Sequence, residues 1–344
     1  MRRFTKFIIV SIFLCLVISG CCQMAREDDR LIVTMVTDTS GIGDKGFNQI
    51  AWNGLLRAER ELGIVIKKIE SSDPANYIKN LATAARYGDL TIANGFLILD
   101  AMKEVAVLYP DKDFVFIDGI VGQPNVASYT FRAQEVGFLV GILAAGMSES
   151  HRVGILKGMN IPPVETFEWG FRAGAGCADL TWNLNTDIRS LTAGDFNDPD
   201  KGFTITKQFI NDDRDIVFQL AGATALGAIN AIKNSIKPAY LIGVDLDQDD
   251  EIPGKVLTSA MKRIDVVVYD AIKAKLAGTF VGGHFSVGLP EGALSLTDMR
   301  HTRKLIPERI HTMIALAERM VNENSFHVPD TVEALQEFQP FVLK

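Results

Sequence analysis

The chain has 344 residues, of which 42 are acidic and 35 basic, giving a net charge of −7. That acidity argues against nucleic acid or an anionic membrane surface as a partner. With 4 cysteines, one of them inside an apolar leader, a disulfide framework is not expected either.

Arg2, Arg3 and Lys6 precede an apolar run from Phe7 to Ile18, which Ile18-Ser19-Gly20-Cys21 closes. This is the pattern of a secretory signal, and the run is shorter than the roughly 20 residues a membrane-spanning helix needs. Cys21 stands where a bacterial lipobox has its lipidated cysteine. Residues 1–20 are therefore expected to be removed as a signal peptide. Residues 21–30 are polar and aperiodic, as in a tether holding an exported domain to a membrane through Cys21. The rest is long enough to divide into two lobes.

From Leu31 onward, apolar strand-like runs alternate with amphipathic helical stretches, the pattern of parallel βα units. Leu31–Val36 reads as a buried strand, and Ile50, Ala51, Leu55, Ala58 and Leu62 define one helix face. Strands follow at 65–69, 90–93, 114–117 and 126–131, with helices at 74–87, 98–108 and 135–147. Asp73 and Pro74 supply an N-cap and a proline at the first helical position. The pattern then restarts. Strands are expected at 153–156, 183–191, 216–220, 240–244 and 256–261, and helices at 164–178, 199–211 and 226–234. A helix at 265–276, a glycine-rich strand at 281–289 and a helix at 303–322 return to complete the two lobes. The expected division is an N-terminal lobe of 31–132 and 263–285 and a C-terminal lobe of 133–262 and 286–344.

The loop Thr37–Asn48 contains Gly41-x-Gly43-x-x-Gly46 after a strand and before a helix, and Glu70 ends the second strand. Together these are the context of a dinucleotide fingerprint. Asp38 and Asp44, however, put two carboxylates where a pyrophosphate would sit, which makes a nicotinamide enzyme the least favoured reading. The same loop suits a neutral, hydroxyl-rich ligand better. Asp38, Asn94, Asp118, Asp245 and Lys262 stand at the carboxyl ends of strands, where open α/β sheets bind ligands. Each is individually explained by helix capping or turn formation; together they outline a crevice. Phe47 in the loop and Phe218 in the second lobe could sandwich a flat ring, although an aromatic inside a strand is more often core. The five histidines are scattered, and the sequence shows no metal-site motif, nucleophile elbow or Walker phosphate loop.

Val36-Thr37-Asp38, Asp44-Lys45-Gly46-Phe47-Asn48-Gln49 and Trp52-Asn53-Gly54 resemble the opening of the basic membrane protein family of bacterial lipoproteins. Phe218-Gln219-Leu220-Ala221-Gly222, Ile242–Gln248 and Thr258–Arg263 extend the resemblance over nearly the whole chain. It implies a type I periplasmic-binding fold, two Rossmann-like lobes with parallel sheets joined by a multi-strand hinge. The implied role is that of a substrate-binding lipoprotein that captures purine nucleosides for the permease and ATPase of an ABC importer. It further implies stacking of the base between Phe47 and Phe218, a base contact from Asp118, ribose contacts from Asp38, Asn48, Asp245 and Lys262, and a supporting Asp44. No cofactor is implied. Gly46 stands where the family often has serine. A sugar or other small solute in the same fold, or a surface adhesin or sensory role, is the alternative.

Overall fold

The computed structural model describes residues 29–344. The expected signal peptide, and Cys21 with most of the tether, lie outside the described residues. Among those described, no helix is long and apolar enough to cross a membrane.

Two six-stranded sheets organise the chain. The first contains β1 (Ile32–Thr37), β2 (Val65–Glu70), β3 (Leu90–Asn94), β4 (Asp113–Ile117), β5 (Val126–Phe131) and β11 (Gly283–Val287), ordered β11-β5-β4-β3-β1-β2. All its pairings are parallel. The second contains β6 (Arg152–Lys157), β7 (Asp187–Thr192), β8 (Ile216–Leu220), β9 (Tyr240–Asp245), β10 (Val256–Lys262) and β12 (Leu294–Leu296), ordered β12-β10-β9-β8-β6-β7. Here only β12 is antiparallel. The first five strands of each sheet follow the same doubly wound order, which puts a switch point between β1 and β3 and another between β6 and β8. Parallel strands covered on both faces are largely apolar, and β3 and β8 are buried at every residue, Thr91, Asn94 and Gln219 included.

Around the first sheet, α1 (Phe47–Leu62) packs beside α8 (Ile264–Leu276), and α2 (Tyr77–Tyr87) beside α3 (Leu99–Leu108). Around the second, α4 (Ala133–Met147) lies against α5 (Pro162–Trp182) and α9 (Glu308–Asn322), and α6 (Pro199–Asn211) against α7 (Ala225–Lys233). The chain passes between the sheets after β5, β10 and β11. The boundary drawn at residue 285 falls inside β11, which continues to Val287.

Several element limits differ from the sequence reading for local reasons. Residues 183–186 are not strand: Asn183 (φ 54°) caps α5 in the left-handed conformation, and Thr186 bonds Asp179 through its amide and hydroxyl at 2.9 and 2.6 Å. Helix α9 begins at Glu308 after Pro307 instead of at Arg303. The preceding turns are held by Thr302, which donates to Leu257 O at 2.8 Å. The expected helix at 74–87 opens as a 3-10 turn whose amide at Ala75 is capped by the Asp73 carboxylate at 2.8 Å. Strand β12 and the short helix α10 (Val332–Glu337) went unread because neither is long enough to show a period.

Candidate functional site

One cavity lies where the carboxyl ends of both sheets meet, enclosing about 590 Å³ of space including its mouth. Asp38, Asp44, Phe47, Asn48, Asp118, Asp245 and Lys262 all line it. They come from the β1–α1 loop, the end of β4, the end of β9 and the end of β10, so sequence-distant residues converge at the carboxyl ends of the strands.

The glycine-bearing loop is folded around its own carboxylates. Asp44 accepts from the amides of Gly46, Asn48 and Gln49 at 3.0, 2.8 and 3.1 Å, satisfying the first turn of α1. Glu70 accepts from the Ile42 amide at 3.0 Å. Gly41 has a left-handed backbone (φ 65°), which favours glycine there. The amides that a dinucleotide fingerprint would offer to pyrophosphate are thus already occupied by anions. Asp38 accepts from the Ser40 amide at 3.0 Å and the Asn48 side-chain amide at 2.8 Å. Asn48 Oδ1 in turn accepts from Asn94 Nδ2 at 2.9 Å, so Asn94, just outside the cavity wall, orients Asn48.

Opposite this group, the Lys262 ammonium contacts both oxygens of Asp118 at 2.6 and 2.5 Å. Its charge lies 5.1 Å from the Phe47 ring centroid, 4.8 Å from Phe131 and 5.9 Å from Phe167. Rings that near stabilise a desolvated cation. Asp118 and Asp245 both adopt left-handed backbone conformations, with φ of 71° and 65°; aspartate tolerates this better than most residues. Burial pushes the Asp245 carboxyl up to about 7, opposed by Lys262 and reinforced by Asp118 and Asp44. Asp44 is raised to about 6, again by burial, against the pull of its three amide donors. Asp38 is raised by burial as well. The cavity therefore holds more carboxylate than its one lysine balances, in a setting that disfavours ionisation.

Phe218 requires correction. Its ring is 0% exposed, lies 5.3 Å from Phe171 in a stacked pair and 6.2 Å from Phe167 edge to face, and does not line the cavity. A side chain at the centre of an all-buried strand points into a layer of the core; here the helix α5 side claims it. The aromatics that the second lobe presents to the cavity are Phe167, on α5, and Phe196, in the loop after β7. A Cβ at Gly158 would lie 2.2 Å from the Phe196 ring, so that glycine provides the ring's seat. Thr224 pins the loop, its amide donating to Phe196 O at 3.0 Å and its hydroxyl to Asp195 O at 2.9 Å. A signal for Phe196 existed in the sequence: like Phe47, it is an aromatic in a polar loop at a strand's carboxyl end. For Phe167, on an ordinary amphipathic helix, there was none.

The cavity offers hydroxyl acceptors on one side, a buried ion pair on another and apolar rings from both lobes. Among the described residues no cluster of three or more side chains is arranged to hold a metal ion.

The pattern of the Bmp family, described as ABC transporter substrate-binding protein PnrA-like, matches residues 31–327. An uncharacterized lipoprotein of Pyrococcus horikoshii is 31% identical, with 85% of this chain and 76% of that protein covered. An ABC transporter nucleoside-binding protein of Lactococcus lactis is 33% identical over 77% of this chain and 80% of its own length. Among solved structures, an ABC transporter solute-binding protein of Aeropyrum pernix superposes with a TM-score of 0.84 at 28% identity, covering 89% of this chain and 96% of that one. With two doubly wound lobes in the type I periplasmic-binding arrangement and a ligand-sized cavity between them, the chain belongs to the Bmp family of PnrA-like ABC transporter substrate-binding proteins.

Proposed function

We propose that this protein captures purine nucleosides in the cavity between its lobes and delivers them to the permease and ATPase of an ABC importer. The observation that carries the reading is the division of the cavity wall into two chemistries. Phe47, Phe167 and Phe196 supply apolar rings from both lobes, while Asp38, Asn48 and Asp245 supply hydrogen-bonding groups. A flat base with a ribose attached matches that division. Stacking on aromatic side chains contributes about 1–3 kcal/mol per base. Carboxylates accept from the adjacent ribose hydroxyls, and the Asp118 carboxylate, neutralised by Lys262, faces the polar edge of the base. The nucleoside-binding relative of Lactococcus lactis supports the same ligand class. In this reading the protein is exported and held at the cell envelope by a lipid on Cys21.

Titration calorimetry on protein unfolded and refolded to remove any carried ligand tests the proposal. Inosine, guanosine or adenosine gives a saturable heat that cytidine and free ribose do not match, and Phe47→Ala weakens it by at least about fivefold, the equivalent of the lower stacking estimate. No heat with any purine nucleoside refutes it.

A further inference from the structure

A second cavity adjoins the first and shares Phe96, Asp118 and Pro163 with it. It encloses about 760 Å³ including its mouth, and Ile120, Phe131 and Thr166 are among its walls. Like the main cavity it is bounded from both lobes: Ile120 follows β4, whereas Thr166 lies on α5. Its hydroxyls are already committed. Thr166 Oγ1 donates to Pro162 O at 2.7 Å, and Thr130 Oγ1 pairs with His284 Nε2 at 2.7 Å. Apart from the shared Asp118 carboxylate, what remains toward the void is largely aliphatic, aromatic and proline surface, with Ile120 50% exposed at the rim. A hydroxyl-rich group would find few partners there, whereas an alkyl or aryl group would cover exposed apolar surface.

From the adjacency of the two cavities, which share Asp118 in their walls, we infer that the annex receives an apolar substituent carried on the polar edge of the bound base. The ligand range then includes purine nucleosides alkylated or arylated on the exocyclic nitrogen. The inference rests on the purine nucleoside reading and specifies it. Mono-substitution leaves one N–H on that nitrogen for the Asp118 carboxylate to accept, while the added group points away from the stacked ring into the annex. A base pocket closed at that edge would reject the same group by steric overlap.

The test compares adenosine with N6-dimethylallyl-adenosine and N6-benzyl-adenosine by titration calorimetry, with inosine as a further control. The expected result is that the substituted nucleosides bind at least as tightly as adenosine. Ile120→Asp, a change at an exposed position, then weakens the substituted ligands by about tenfold or more and leaves adenosine unchanged. Thr166→Trp, which fills the annex from the other lobe, gives the same selective loss if Ile120→Asp proves unstable. Binding of adenosine or inosine without binding of either substituted nucleoside overturns the annex inference alone. Equal losses for substituted and unsubstituted ligands in both variants overturn it too. Absence of binding by every nucleoside overturns the underlying reading and this inference with it.

Discussion

Asp245 is the residue on which the site's electrostatics turn. Its carboxyl is pushed up to about 7 by burial, so between about pH 4 and 7 the folded protein holds a proton there that the unfolded chain releases. The native state binds more protons across that window, and stability of the unliganded protein therefore falls as pH rises through it. Asp44, raised to about 6, contributes over the lower part, and Asp38, also raised by burial, adds a loss of the same sign. Asp245→Asn preserves shape and tolerates the left-handed backbone (φ 65°). It is expected to raise the unliganded melting temperature at pH 7.5 and flatten its pH dependence above pH 6, an effect of about 1 kcal/mol or more. Thermal unfolding from pH 5 to 8 measures this; an unchanged slope between 6 and 7 shows that Asp245 does not hold the proton. At this scale the sequence was partly legible. Residues at strand ends were found because strand periodicity locates the ends, and a loop carboxylate such as Asp38 or Asp44 has few roles besides capping and ligand contact. Phe218 misled because a run of apolar residues in a parallel strand does not tell which face each side chain takes, and both faces are buried.

The elements show how tightly the second lobe is assembled. Helices α4 and α5 approach through glycines: a Cβ at Gly141 would sit 2.1 Å from Phe171 O, and one at Gly174 would sit 2.0 Å from Phe138 O. Those neighbours are backbone and cannot rotate away, so the helices must separate to admit even a methyl group. Gly141→Ala is expected to lose about 1–3 kcal/mol or more through overpacking, in spite of alanine's better helix propensity. Chemical denaturation measures the loss. A gain in stability would mean that the two axes slide apart freely, which the contact of α4 with α9 and β10 argues against. The Val136, Leu139, Val140 and Leu143 pattern showed a buried helix in the sequence, but α4 is buried over nearly its whole circumference. Its partner could not be read from a one-sided period. The glycines Gly137, Gly141, Gly170 and Gly174, spaced four apart on each helix, were the missed sign of that pairing.

At the scale of the molecule, the two lobes are bridged across the cleft. Gln248 Nε2 donates to Lys45 O at 2.9 Å from the far lobe, and Asn197 Nδ2 donates to Thr39 O at 3.3 Å. Lys45 also pairs with Glu251 at 2.7 Å, but the lysine side chain is 47% exposed and solvent screens the pair. Gln248 is the stronger tie because it is 3% exposed and preset: its own carbonyl accepts from Gln219 Nε2 at 2.9 Å, and its backbone amide donates to Ser259 Oγ at 3.1 Å. The family resemblance implied two lobes joined by a hinge, whereas the residues that fasten them lie in loops with no regular pattern and were not singled out. Removing one such buried hydrogen bond shifts an equilibrium by about 1 kcal/mol, close to a factor of five between open and closed populations. Gln248→Ala should therefore expand the unliganded protein in small-angle scattering and weaken ligand binding by up to that factor, since ligand then has to close the lobes itself. Saturating ligand should return the variant to the wild-type radius. If Gln248→Ala leaves both radius and affinity unchanged, the lobes are held by the buried Asp118–Lys262 pair and the covalent crossovers alone, and the loop contacts only follow closure.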